Sequence, residues 1–232
     1  MAEILGVNVD CVTMAQAMQK IDELILLKKP SQIATANAEM LMLATHDFEF
    51  KQILNSAAMV TPDGAGTVWA ARHLGFNMPE RVAGVDLVTN LLHKNYKAYF
   101  FGAAPGVAKK AAENFPNVVG TRNGFFSNAD EPQIIADINS TNADILLVGL
   151  GVPKQEKWIF NNLDKLNVPV CIGVGGTFDV LAGNTPRAPM WMQRAKLEWL
   201  FRALLQPSRA GRLVALPKFV FKVYKNSESE KS

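Results

Sequence analysis

Histidine and cysteine are scarce in this chain of 232 residues: three of the first and two of the second. Cys11 and Cys171 lie far apart, form no CxxC pair and outline no disulfide framework, which fits a reducing, cytoplasmic setting. His46, His73 and His93 are scattered through helical patterns. Neither HExxH nor a Cys/His cluster occurs, so a metal site is not expected. No two aspartates stand two apart, so the DxD motif that holds a divalent ion beside a nucleotide is missing. GxGxxG, GxxxxGK[ST] and GxSxG are also absent, which disfavours a standard NAD site, a P-loop and a serine hydrolase. No apolar run approaches the roughly 20 residues needed to span a bilayer, so any membrane contact is expected to be peripheral. The opening residues, MAEILGVNVD, carry acids and lack a basic segment followed by an apolar run, so they do not read as a signal peptide.

What is present suits a folded chain. At 49% hydrophobic and 19% charged residues it can bury a substantial core. The length fits one α/β domain, or one domain plus an appendage. The net charge of +3 hides an asymmetry. Residues 1–186 carry 14 Lys+Arg and 18 Asp+Glu, whereas residues 187–232 carry 10 and 3. The excess positive charge therefore sits in the last fifth of the chain, which points to an anionic partner there.

Apolar, β-rich runs alternate with helical patterns. Strands are expected at Ile4–Val9, Gln32–Ala36, Met59–Thr61, Ala98–Phe101, Val118–Thr121, Ile145–Val148 and Val170–Val174. Helical periodicity fills the intervals: 14–27, 38–55, 66–74, 85–94, 107–115, 132–139 and 154–166. The runs at 145–148 and 170–174 are almost continuously apolar, as in strands covered on both faces. This alternation predicts an α/β fold with a Rossmann-like, mostly parallel sheet and helices on both faces. Three strand ends run into glycine-rich turns, at Gly102–Gly106, Gly149–Gly151 and Gly175–Gly176. Such turns let backbone approach a ligand and aim free helix N–H groups at it, so a nucleotide or phosphate ligand is expected.

From Arg187 the alternation stops, and a basic helical appendage is expected over 187–225, with a disordered tail over 226–232. Leu197, Leu200, Phe201 and Leu204 make one apolar stripe, and Met192, Ala195, Trp199 and Ala203 a second. Two stripes need two partners, which makes self-association an expectation. After Pro207, Leu216, Phe219, Val220 and Val223 share one helical face, with Lys218, Lys222 and Lys225 opposite. That sorting fits a helix on an anionic membrane surface, or else a helix packed on the body with solvated lysines.

Several polar residues stand where chemistry is done in such folds. Asp63 follows a short strand in Thr61-Pro62-Asp63-Gly64 and would serve as a general base, or would cap the next helix. Thr35 and Asn37 end another strand, where they would bind a sugar or cap a helix. Arg81 precedes a helix and would clasp a diphosphate, or would pair with Glu80 or Asp86. Gln155 opens a helix directly after the Gly149–Gly151 turn and would face a ligand or sit exposed.

Taken in order, the segments Thr35–Glu39, Thr61–Gly64, Arg81–Asp86, Gly149–Glu156 and Gly173–Asp179 resemble the WecG/TagA/CpsF family of bacterial glycosyltransferases over nearly the whole chain. Within that family the likeness is to the TagA type, which serves wall teichoic acid synthesis. The resemblance implies inverting transfer of N-acetylmannosamine from a UDP donor to N-acetylglucosaminyl-diphospho-undecaprenol, with no cofactor and no required metal. Relatives with another donor, an N-acetylmannosaminuronic acid or a glucose-type sugar, are the alternative. It further implies Asp63 as base, Thr35 and Asn37 at the donor sugar, Gln155 near the reacting groups and Arg81 on the diphosphate. Gly102, Gly149, Gly151, Gly175, Gly176 and Asp179 would serve the nucleotide. Arg202, Arg209 and Arg212 would meet the lipid diphosphate, and Lys218 and Lys222 the inner face of the cell membrane, with no nucleic acid partner. A nicotinamide-dependent oxidoreductase and a non-catalytic membrane module are the distant readings.

Overall fold

The computed structural model describes residues 1–189, 191–192, 201 and 211–229, with 211–215 and 228–229 as backbone only. The chain opens with a small antiparallel hairpin, β1 (Ala2–Ile4) and β2 (Val7–Val9). The apolar run suggests one strand there; instead Leu5 and Gly6 take φ of 53° and 80° and reverse the chain. Next come α1 (Met14–Leu27), β3 (Ser31–Ala36), α2 (Ala38–Ala44), α3 (Phe48–Ser56), β4 (Met59–Pro62), α4 (Ala65–His73) and α5 (Gly84–Leu92). The second half holds β5 (Ala98–Gly102), α6 (Val107–Ala112), β6 (Val118–Arg122), α7 (Glu131–Ser140), β7 (Ile145–Gly149), α8 (Lys154–Asn162), β8 (Val170–Gly173) and α9 (Thr177–Leu181). The last described helix is α10 (Gly211–Ser229).

Local chemistry sets the boundaries. Thr13 and Gln16 form a reciprocal capping box at the start of α1. The periodic stretch 38–55 breaks into α2 and α3, because the Asp47 side chain accepts from Phe50 N at 2.9 Å and starts a new helix. α10 runs to Ser229, past the Lys225 boundary that the charge pattern suggests.

Six strands form one parallel sheet in the order β4–β3–β8–β7–β5–β6. Because all six run the same way, every strand ends at one rim. One face, bearing Ile33, Ile172, Leu147 and Phe100, is covered by α1, α5, α6 and α9. The other face is covered by α2, α3 and α4 over Ala34 and Val60, and by α7 and α8 over Leu146 and Val148. The neighbouring strands β3 and β8 send their following helices, α2 and α9, to opposite faces. Neighbouring β5 and β7 do the same with α6 and α8. In doubly wound sheets, ligands bind in the crevices that such divergence makes possible.

α10 closes the β3–β4 end. Phe219 and Val223 are fully buried among residues of α2 and α4, with Leu216 beside them. A Cβ on Gly66 would stand 3.1 Å from the Leu216 side chain, so this glycine clears the helix's seat. Tyr224 joins a stack with His73 and Trp69 of α4, and Lys222 donates to Thr45 Oγ1 at 2.7 Å. The apolar face of α10 is therefore covered by the protein's own body and not by lipid. Lys222 is half-buried in that seam, while Lys218 and Phe221 face outward.

Candidate active site

The rim of the sheet gathers most of the sequence-predicted residues, because each lies within a few positions of a strand end. Thr35 and Thr61 are direct partners in the β3–β4 ladder, which runs on to Ala36 and Pro62. The β3–β8 ladder stops earlier, at Ile33 and Ile172, so the two strands part toward the rim. Asp63 follows β4 immediately. Its N–H donates to Ala36 O at 2.9 Å, and its carbonyl accepts from Thr67 Oγ1 at 3.1 Å. The same Thr67 hydroxyl donates to Ala36 O, so a buried threonine on α4 pins the ends of β3 and β4 together. The N-cap residue of α4 is Gly64. Gly64 has φ 89° and ψ 153°, a region open essentially to glycine alone. A Cβ there would meet Asn37 Cβ at 3.9 Å, which places the Asp63–Gly64 turn against Asn37. Asp63 is half-buried, at the rim and not in the core.

Asn37 has part of its capacity spent: its Oδ1 accepts from Met40 N at 3.1 Å and caps α2. Thr35 lies against the first turn of α5, where a Cβ on Gly84 would stand 3.3 Å from Thr35 Oγ1. The loop before α5 is tied to β4 by Val82 N donating to Pro62 O at 2.9 Å, which brings half-buried Arg81 to the same end. Asp86, one expected partner for Arg81, pairs instead with Arg187 at 2.6 Å. Thr61, which sequence reading passes over, is fully buried, with no hydrogen bond to its hydroxyl among the described residues.

The glycine turns form the adjoining half. Gly102 and Gly149 are register partners, and Ala103 N donates to Gly149 O at 2.8 Å. A Cβ on Gly102 would fall 2.4 Å from that carbonyl, so only glycine lets β5 and β7 close at this height. Gln155 is 2% exposed and sits beneath the turns. Its Oε1 accepts from Gly151 N at 3.2 Å and from Gly175 N at 2.9 Å, and its Nε2 donates to Glu156 Oε1 at 2.7 Å. Glu156 is 1% exposed, and burial pushes its carboxyl up to about 7. Gln155 is thus buried and not exposed to solvent, and it bolts two turns together. Gly176 is exposed at the rim, and Asp179 is half-buried in the first turn of α9. Among the described residues no three His, Cys, Asp or Glu side chains come together as metal ligands would.

The model of the glycosyl transferase WecG/TagA/CpsF family matches residues 2–232. The chain belongs to that family of glycosyltransferases. Two relatives agree with this. A Bacillus subtilis (strain 168) protein named N-acetylglucosaminyldiphosphoundecaprenol N-acetyl-beta-D-mannosaminyltransferase is 34% identical over 210 residues, covering 86% of this chain and 81% of that protein. A Staphylococcus aureus (strain NCTC 8325 / PS 47) protein of the same name is 31% identical over 233 residues, covering 96% and 92%. This glycosyltransferase therefore divides its rim in two. Thr35, Asn37, Asp63 and Arg81 stand at β3–β4, and the glycine turns at β5, β7 and β8. Arg202 and Arg209 lie outside the described residues, as do the side chain of Arg212 and most of both apolar stripes. No described helix is long and apolar enough to cross a membrane.

Proposed function

We propose that this glycosyltransferase moves N-acetylmannosamine from UDP-N-acetylmannosamine to N-acetylglucosaminyl-diphospho-undecaprenol, in the synthesis of wall teichoic acid or a related surface polymer. The acceptor and the transferred sugar are taken from the relatives, whose names state them and whose likeness spans most of both chains, and the UDP carrier from the family resemblance. The mechanism rests on one observation: a half-buried carboxylate, Asp63, directly after β4, in a turn that lies against Asn37 on the sheet rim that also carries the glycine turns. Asp63 takes the proton of the acceptor hydroxyl as that oxygen attacks the anomeric carbon. The bond from that carbon to the UDP oxygen breaks on the opposite face, so configuration inverts. The charge that builds on UDP is met by Arg81 and by helix N-termini at the rim. Thr35 and Asn37 Nδ2 bind the donor sugar, and Gly102, Gly149, Gly151, Gly175, Gly176 and Asp179 shape the nucleotide side.

The C-terminal segment brings the enzyme to the inner face of the membrane. This is supported by the basic excess after residue 187 and by the outward set of Lys218 and Phe221, the latter 71% exposed. Arg202, Arg209 and Arg212 meet the acceptor diphosphate.

The test is turnover on a short-chain lipid-diphosphate acceptor with a panel of UDP-sugars, read by mass spectrometry of the product. Asp63→Asn is expected to keep UDP binding and lose about 100-fold or more in turnover, the usual range for a missing general base. A rate within a few-fold of wild type would remove Asp63 from the chemistry.

A further inference from the structure

We infer that Glu156 is a positioning residue for the donor site: it fixes the orientation of the Gln155 amide and, through it, the spacing of the two glycine turns that receive the nucleotide. The inference rests on the reading of those turns given above. Gln155 Oε1 takes N–H groups from two different turns, Gly151 after β7 and Gly175 after β8. A flipped amide would aim its NH2 at both N–H donors and its oxygen at a carboxyl oxygen. The two N–H groups favour the working orientation from one side, and Glu156 Oε1, 2.7 Å from Gln155 Nε2, is the acceptor that holds the amide in it from the other.

The surroundings are built for the pair. A Cβ on Gly173, the last residue of β8, would lie 2.7 Å from both Gln155 Nε2 and Glu156 Oε1, so the two side chains fill the place where a β8 side chain would stand. Gln32 on β3 donates its Nε2 to the Glu156 carbonyl at 3.1 Å, which ties the start of α8 to a third strand. Glu156 Oε2 and Gln32 Oε1 are both buried with no hydrogen-bond partner among the described residues. A carboxyl whose second oxygen bonds to nothing is a poor device for stability alone. Its one hydrogen bond to another side chain among the described residues is the one to the Gln155 amide.

The experiment uses the full-length enzyme with UDP as probe, by calorimetry, followed by steady-state kinetics with UDP-N-acetylmannosamine. Glu156→Gln keeps an acceptor oxygen; Glu156→Leu keeps bulk without one; Glu156→Ala serves if the leucine variant does not fold. Ile138→Ala, a fully buried change on α7, which carries neither turn, controls for lost stability. Glu156→Leu or Glu156→Ala is expected to weaken UDP binding and raise donor KM by about tenfold or more, the effect of one unmade buried hydrogen bond. The kcat at saturating donor and the acceptor KM should stay within about threefold of wild type. Glu156→Gln should restore UDP affinity, and Ile138→Ala should leave it unchanged. Unaltered UDP affinity in folded Glu156→Leu or Glu156→Ala, failure of the glutamine to rescue, or equal loss in Ile138→Ala would each overturn the inference. If the wild-type enzyme itself binds no UDP, the assignment of the turns fails instead.

Discussion

At the rim of β3, β7 and β8 the polar side chains differ in how much of their hydrogen-bonding capacity is already spent. Asn37 has given its oxygen to a helix cap and Gln155 its oxygen to two turns and its NH2 to Glu156, whereas the buried Thr61 hydroxyl on β4 bonds to nothing described. Strand–helix alternation makes the positions of Thr35, Asn37 and Asp63 legible, since a polar residue just after an apolar run falls at a strand end. It does not reveal that Gln155 points inward, because an amide at the start of a helix suits solvent and core alike. Nor does it single out Glu156, whose burial depends on Gly173 lacking a side chain. That burial has a pH signature. The folded Glu156 carboxyl titrates at about 7 against an ordinary 4.5, so the folded protein holds the proton more tightly. Its contribution is fully present below about pH 4.5 and is lost as pH rises through about 7. Denaturant unfolding should therefore show Glu156→Gln gaining on wild type between about pH 5 and pH 8, by on the order of 3 kcal/mol. A difference that does not change with pH would mean that Glu156 is not buried as described.

Among the elements, α10 shows most clearly where periodicity stops being informative. A 3.6-residue period reveals that Phe219 and Val223 share a face with Leu216, but not what covers that face. Lipid and the protein's own α2 and α4 are equally apolar partners; the tertiary structure assigns the face to the latter. Phe219 is the largest fully buried contact that α10 makes, so Phe219→Ala should cost about 3–5 kcal/mol of docking. A helix held by one seam should then open locally. Amide exchange should accelerate over 216–227 while β7 and β8 keep their protection. Uniform acceleration through the sheet would show that α10 is part of the global core, and no change would show that Phe219 does not hold it.

For the whole molecule, the charge asymmetry yields a prediction about partners. A body with more acids than bases and a C-terminal piece with the reverse should approach an anionic surface in one orientation. Binding to anionic vesicles should fall steeply as salt shortens the Debye length below about 10 Å, and neutral vesicles should bind far less. Truncation at residue 187 is a poor test, because it strips Phe219 and Val223 from the core. Lys218→Glu combined with Phe221→Ser changes only outward side chains and should reduce vesicle binding while the melting temperature holds. Undiminished binding by that double variant would place the membrane contact elsewhere.

The fold class, the strand-end placement of Thr35, Asn37, Asp63 and the glycine turns, and the basic C-terminal bias are all legible along the linear chain. Each of these follows from local pattern: a run of apolar residues, a turn residue after it, a count of charges. The strand order that sets β3 beside β8, the docking of α10 on α2 and α4, and the burial of Gln155 and Glu156 beneath two turns emerge only when the chain is packed. Those depend on which surfaces meet across large separations in sequence, and apolar periodicity is the same whichever partner an element finds.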